Sequence, residues 1–370
     1  MVEDAEFSQK FSVGIVGLGL IGGSLAKRLA KLANCNVYAW NRHNEPYDEA
    51  KSLGITCVEK VQDLAKLRPN VLILCNALAA MPSILHEIAP YIDKSCTTIS
   101  DVGSVKTLVR EQVKDAGLQD CYVGAHPMAG SEFTGWKASS DELLNGALWA
   151  LTVDDSTEFW RVRNILQMIV SLCKNRAIVL DDATHDNSAA LISHMPHVVA
   201  TALANVLCEQ SNRAIALQLS AGSWRDMTRV ALTDPQRTRA MVSENRHNTA
   251  KLLRSVISEL TFAANMLDND VETADALEQE FFAKAQSWRE YKYLQRNSSK
   301  TSTQQSDDAK QNDDANSRLW KYDSQINWQQ ELLESARSGE FIIEFYGFNT
   351  NESSQLLLRA DSSLPYNSHK

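Results

Sequence analysis

The chain has no excess of positive charge: 37 Lys and Arg stand against 46 Asp and Glu in 370 residues, for a formal net charge of -9. Such a field repels phosphate backbones and anionic membranes, which argues against nucleic acid and membrane surfaces as partners. An anionic substrate would need a local cluster of Arg and Lys working against that field. Cysteines at 35, 57, 75, 96, 121, 173 and 208 show neither Cys-x-x-Cys nor zinc-ribbon spacing. Odd in number and scattered through apolar segments, they read as buried free thiols. The start, MVEDAEF, has no basic region and no apolar region of a leader, and no apolar run approaches the roughly 18 residues of a membrane span. The reading is cytoplasmic. There is no internal repeat.

What is present is apolar material for a sizeable core, 44% of the residues, in a chain longer than one typical domain. From Phe11, short β-branched runs alternate with helical stretches: FSVGIVGLG, NVYAW, VLILCN, TTISDVG, YVGAHP, ALWALTV and RAIVLDD. That alternation predicts a parallel sheet wrapped by helices over residues 1–181. Helical periodicity then takes over for residues 182–296. In PQRTRAMVSENRHNTAKLLRSVISELTFAANML, Asp234 can cap the helix and Pro235 sits at its first position. The apolar stripe through Met241, Leu253, Val256, Ile257 and Leu260 is too extensive for so few helices to cover, which implies a homodimer. Residues 297–317 are polar and low in complexity, as expected of a disordered linker. Residues 318–370 read as a small appendage of unknown role, with helical WQQELLESARSGE and strand-like FIIEFYGF and SQLLLRA.

The segment GIVGLGLIGG sets Gly17, Gly19 and Gly22 in G-x-G-x-x-G register, with Leu20 and Ile21 between, directly after a strand and before a helix. In that context the glycines serve a tight turn, close approach of backbone to pyrophosphate, and helix-strand packing, with phosphate at the helix N-terminus. The fold class expected is therefore an α/β Rossmann-type dinucleotide-binding domain followed by an all-α dimerisation domain, plus a short C-terminal appendage. The second strand ends on Asn41, Arg42 and His43, where an NAD enzyme usually carries an acid. A neutral Asn41 removes repulsion and Arg42 can clamp a 2′-phosphate, so NADP is the preferred cofactor and NAD remains possible.

Two further strand ends, SDVGSVK and GAHPMAGSE, carry Ser104, Lys106, His126, Ser131 and Glu132, a polar set unusual for apolar strands and placed where ligands of open α/β sheets gather. Through GLGLIGGSLA, DVGSVK, GAHPMAGSE, HDNSAALISHMPH and GSWRDMTRVALTDP, in that order and spacing, residues 11–295 resemble the prephenate and arogenate dehydrogenases. The resemblance implies oxidation of prephenate to 4-hydroxyphenylpyruvate in tyrosine biosynthesis. It makes His126 the catalytic base, Ser104 the group that orients it and the nicotinamide, Lys106 a neighbour in the same pocket that helps neutralise substrate carboxylates, and Glu132 a gating acid. It also makes His197 face the active site, with Asp186 helping to order it, and makes Arg229 the carboxylate receptor, a role suited to a bidentate donor.

On the residues alone, His194 and His197 lie on neighbouring turns of a helix that Pro196 should bend. Two histidines without a third ligand make a poor metal site, so no metal is expected. Gly222 interrupts the helical pattern before Arg225, Asp226 and Arg229, which supply the basic cluster an acidic substrate requires. Thr134 stands where an acid would read the ammonium of arogenate, which tilts the choice to prephenate, although Glu132 lies close by. A β-hydroxyacid dehydrogenase using Ser104 and Lys106, and a nucleotide-sensing regulator without turnover, are the rival readings. His126 argues against the first, and the intact set of His126, Ser104 and Arg229 against the second.

Overall fold

The computed structural model describes residues 10–131, 133–301 and 317–360. The chain divides into two units. Residues up to Asp186 together with Leu319–Leu358 form the sheet unit, and Asn187–Arg318 belong to the helical unit.

The sheet unit begins with β1 (Phe11–Val16), α1 (Leu20–Ala30), β2 (Cys35–Trp40), α2 (Tyr47–Ser52), β3 (Thr56–Cys57), α3 (Val61–Lys66), β4 (Val71–Leu74), α4 (Met81–Ile88), β5 (Thr98–Asp101) and α5 (Thr107–Asp115). These five strands make a parallel sheet in the order β3-β2-β1-β4-β5, so β1 lies between β2 and β4. All four residues of β4 are buried, the pattern of a strand covered on both faces. The chain continues with β6 (Gly124–Pro127), β7 (Leu148–Thr152), α6 (Phe159–Leu166) and β8 (Arg176–Leu180). A bridge from Ile99 to Tyr122 joins the two sheets.

Two expectations need correction here. The sheet is mixed: β6 runs antiparallel to β7, since the chain returns by a loop and no crossover helix intervenes. The appendage is also part of the sheet. Its strands β9 (Ser317–Lys321), β10 (Glu340–Tyr346) and β11 (Gln355–Ala360) complete the order β6-β7-β8-β10-β11-β9, with Ile342 opposite Ala177. The helix Trp328–Arg337 lies between β9 and β10 in sequence. Phe159 of α6 stacks on Tyr322 at 4.6 Å between ring centroids and meets Trp328 edge-on at 5.2 Å. A strand β8 left at the edge would expose its backbone groups, and β10 covers them.

The helical unit holds α7 (Asp182–Ala189, whose first turns belong to the sheet unit), α8 (Met195–Glu209), α9 (Arg213–Leu219), α10 (Gly222–Thr228), α11 (Pro235–Glu244), α12 (Arg246–Leu267), α13 (Val271–Ala283) and α14 (Gln286–Thr301). The linker expected over 297–317 lies outside the described residues from 302 to 316. Residues 297–301 instead finish α14, and Ser317 opens β9. Asp234 caps α11 by accepting from the amides of Gln236 and Arg237, both at 3.0 Å, with Pro235 at the first helical position.

Pro196 does not break its helix. A π turn over Ala190–His194 joins α7 to α8, and the wider turn accommodates a ring that lacks an N–H. The joined helix, Asp182–Glu209, is 28 residues long with a mean hydropathy of 1.4 in its most apolar window. Contrary to the sequence reading, it is long and apolar enough by composition to cross a membrane. Its first turns nevertheless carry Asp182 and Asp186, whose carboxylates are engaged by Arg110 and by α5 amides. The thiols also differ from expectation: Cys35, Cys121 and Cys173 are buried but Cys208 is exposed. Burial pushes the Cys35 and Cys173 thiols up to about 12.

Candidate active site

The turn from β1 into α1 has the geometry a dinucleotide requires. Gly17 adopts φ +103, and a Cβ there would lie 3.1 Å from the Cys75 backbone, so the position admits only glycine without strain. A Cβ at Gly22 would overlap the Gly17 carbonyl and lie 2.8 Å from Cys75 Cβ. At Gly19 the space beyond is open, and no side chain caps α1. The first amides of α1, at Leu20, Ile21 and Gly22, thus head an 11-residue helix without a side-chain acceptor, as an anion site at a helix N-terminus demands. Asn41 fixes this loop. Its Oδ1 accepts from the Leu18 amide at 2.8 Å and its Nδ2 donates to the His43 carbonyl at 2.8 Å. An aspartate could make the first bond but not the second, since an ionised carboxylate only accepts. Arg42 and His43 are exposed.

The connection from β6 to β7 is stitched to the same helix. The Ser140 amide donates to Ser24 Oγ at 3.0 Å, and Lys27 Nζ donates to the Ser139 carbonyl at 3.2 Å while lying 4.1 Å over the Trp136 ring. A Cβ at Gly23 would meet Ser139 Oγ at 2.8 Å, so close packing of this strap on α1 requires glycine at 23, a position outside the three-glycine fingerprint. Thr134 is exposed on this strap and Ser131 is half-buried. Glu132 lies outside the described residues.

At the end of β5 the structure assigns Lys106 differently from the sequence. Its side chain and that of Asp101 are both fully buried and paired, and Nζ also donates to the Ala125 carbonyl at 2.8 Å. Burial pulls the Lys106 ammonium down, against the opposing pull of Asp101. Lys106 is a brace between β5 and β6 and not the substrate ligand expected, because its ammonium is already paired with Asp101 and has no solvent access through which a substrate carboxylate could reach it. Asp101 extends the brace by accepting from Tyr122 Oη at 2.7 Å and the Gly103 amide at 2.7 Å. Ser104, half-buried, stands on the loop that these bonds hold.

His126 lies on β6 opposite Ala150 of β7. Its Nδ1 is 2.9 Å from Nε2 of His185, and His185 Nδ1 is 2.9 Å from Asp186 Oδ1. Asp186 in turn accepts from the backbone amides of Lys106 at 2.7 Å and Thr107 at 3.0 Å, at the start of α5. Burial raises the Asp186 pKa, but the bonds from His185, Thr107 and Lys106 outweigh it and hold the carboxyl below its ordinary range. One turn earlier, Asp182 pairs with Arg110, which also reaches Asp154 at 2.8 Å. His185 was missed in the sequence, and its one local signal is its place beside Asp186. Asp186 was assigned to His197, whereas the structure gives it to His185 and α5.

In the helical unit, His197 Nδ1 donates to the Ser193 carbonyl at 2.8 Å, and its Nε2 is 3.5 Å from Thr233 Oγ1. His194 is buried against Asn245, 3.2 Å away. Gly222 opens α10 rather than interrupting a helix, and Arg229 is exposed at the head of a 3₁₀ turn. Among the described residues no carboxylate pairs with Arg229, while Arg225 and Asp226 face each other at 3.7 Å. Beside the His197 partner Thr233, a cavity of about 410 Å³ is lined by Val198, Asn205, Pro235, Arg239 and Val242. No group of three metal-ligating side chains occurs among the described residues.

Comparison with known proteins bears on both units. Residues 25–179 match the family model of the prephenate dehydrogenase nucleotide-binding domain, and residues 181–282 match that of the prephenate dehydrogenase dimerization domain. A cyclohexadienyl dehydrogenase of Zymomonas mobilis is 30% identical over 253 residues, which cover 67% of this chain and 85% of the relative. A putative prephenate dehydrogenase from Corynebacterium glutamicum superimposes with a TM-score of 0.65 at 31% identity, covering 75% of this chain and 88% of its own. The prephenate dehydrogenase from A. aeolicus, solved with hydroxyphenyl propionate and NAD+, shares the fold with a TM-score of 0.66 at 24% identity, over 76% of this chain and 99% of its own.

Proposed function

The chain belongs to the prephenate and arogenate dehydrogenase family of NAD(P)-dependent enzymes, and we propose that it oxidises prephenate to 4-hydroxyphenylpyruvate with loss of carbon dioxide. The observation that carries this reading is the chain of hydrogen bonds from His126 through His185 to Asp186 at the end of β6.

Prephenate carries a ring hydroxyl para to a quaternary carbon that bears a carboxylate. Loss of hydride from the carbinol carbon leaves an electron-poor ring, and departure of carbon dioxide returns an electron pair and makes the ring aromatic. A bound nicotinamide dinucleotide would take the hydride. His126 accepts the hydroxyl proton as the hydride leaves and returns it to the phenol oxygen once the ring is aromatic, so no net proton is consumed. Ser104 would orient the imidazole and the nicotinamide. Arg229 receives a substrate carboxylate, a role supported by its exposure and by the lack of a carboxylate partner among the described residues. His197 adds a second contact to the substrate.

NADP is the cofactor we favour, on the ground that Asn41 leaves no carboxylate at the ribose end and Arg42 is free to approach a 2′-phosphate. The matched dimerization domain and the exposed apolar residues of α12, Ile257 and Leu260, support a homodimer, which we place in the cytoplasm. The test is a two-by-two assay of NAD and NADP against prephenate and arogenate, read by cofactor reduction and by 4-hydroxyphenylpyruvate formed. Turnover is expected with prephenate, and faster with NADP. Turnover confined to arogenate would transfer the assignment to the amine substrate.

A further inference from the structure

We propose that His185 and Asp186 are positioning residues that fix the tautomer of His126, so that Nε2 of His126 presents a lone pair to the reacting hydroxyl. The inference rests on the reading of His126 as the proton acceptor.

Asp186 is nearly inaccessible and accepts three hydrogen bonds, two of them from amides whose hydrogens cannot be withdrawn. A carboxylate so held has no proton to give, so His185 must place its hydrogen on Nδ1. A neutral imidazole protonated at Nδ1 offers only an acceptor at Nε2. That acceptor is 2.9 Å from His126 Nδ1, and a contact between two nitrogens at this distance requires one hydrogen between them. The hydrogen must come from His126 Nδ1, which leaves Nε2 of His126 unprotonated. The rings meet edge to face, at 66° with centroids 5.2 Å apart, an arrangement that aligns nitrogens and does not stack faces.

The anchoring is rigid at both ends. Asp186 is held by the first amides of α5, and Asp182, one turn earlier on α7, is held by Arg110 of α5. His126 is fixed by its ladder position against Ala150. An interaction needed only for stability would be indifferent to which ring nitrogen carries the hydrogen. In the two bonds that link His126, His185 and Asp186, the polarity is set by the carboxylate at one end. The same carboxylate, acting through His185, favours the imidazolium that forms when His126 takes its proton.

The test combines a spectroscopic and a kinetic readout on the full-length chain. With ¹⁵N-labelled histidine, long-range ¹H–¹⁵N spectra assign the His126 tautomer directly. Hydrogen on Nδ1 is expected in the wild type, and a larger share on Nε2 in Asp186→Asn, whose amide nitrogen must face the Lys106 or the Thr107 N–H and so no longer fixes the direction of the chain. In steady state, His185→Phe is expected to lower kcat about 100-fold with KM within about twofold, and His185→Gln, whose amide oxygen can accept from His126, to recover about tenfold of the loss. Both His185 variants leave the two α5 amide bonds to Asp186 in place, so they test the idea even where Asp186→Asn fails to fold. A wild-type His126 protonated at Nε2, or a His185→Phe enzyme within about threefold of wild-type kcat, overturns the proposal. Should the wild type turn over neither cyclohexadienyl substrate, the functional reading fails while the spectra still decide the tautomer.

Discussion

In the sheet unit, Lys106 and Asp101 are paired with none of either side chain exposed, and each has further hydrogen bonds to neighbouring strands. In the helical unit, Arg225 and Asp226 stand 3.7 Å apart with 79% and 78% of their side chains exposed. The apolar side chains divide in the same way. Trp149 and Leu151 of β7 are fully buried, whereas Leu232 is 86% exposed. The sheet unit pairs its most deeply buried lysine and closes its core within one chain. The helical unit leaves open a surface suited to a second copy and to an anionic ligand. On the proposed reading, the proton chemistry assigned to His126 would fall where the supporting hydrogen bonds are densest, and the substrate charge assigned to Arg229 would meet a guanidinium that is exposed.

The contrast can be tested at each end, beginning with the largest effect. His126→Asn is expected to lower kcat by about 10²–10⁴ with little change in substrate KM, measured in steady state; a near-normal turnover would remove the sheet unit's claim to the chemistry. Trp328→Ala is expected to destabilise the chain by about 3–5 kcal/mol in calorimetric or denaturant unfolding, because Trp328 packs on Phe159 within the sheet unit. A loss below about 1 kcal/mol would mean that the C-terminal strands are dispensable to that core. On the helical side, Arg229→Ala should cost about 2–5 kcal/mol in substrate binding and leave cofactor affinity unaltered, as read from KM for substrate and direct titration of dinucleotide. Smallest, Arg42→Ala should raise KM for NADP about tenfold and KM for NAD by less than about twofold, the loss of one charge-assisted contact. Equal effects on the two cofactors would leave Arg42 as a solvated loop residue.

The legible and illegible parts of the molecule differ for physical reasons. Gly17 and Gly22 could be read because backbone geometry admits few alternatives there, Gly19 by its fixed spacing between them, and Asp234 with Pro235 because helix starts have local rules. The polar residues at the ends of β5 and β6 marked a site, but their division of labour did not follow from residue type. Lys106 looked like a substrate ligand because nothing local in DVGSVK reveals that Asp101 and Ala125 enclose its ammonium. Beyond its place beside Asp186, nothing local marks His185, because the histidine it meets is 59 positions away. Residues 317–360 look like an appendage in a linear reading, since the strand they complete, β8, precedes them by a whole helical unit. Pro196 signals an irregularity in its helix, and the structure places a π turn over Ala190–His194 just before it.

The account turns on His126 acting as the neutral proton acceptor in turnover, and the pH dependence of kcat in wild type and His126→Asn tests it most directly. Wild-type kcat should rise with pH through one ionisation, as a base must lose its proton before it can work, and this acid limb should be absent from the variant's residual activity. The same limb, undiminished, in both proteins would contradict the assignment.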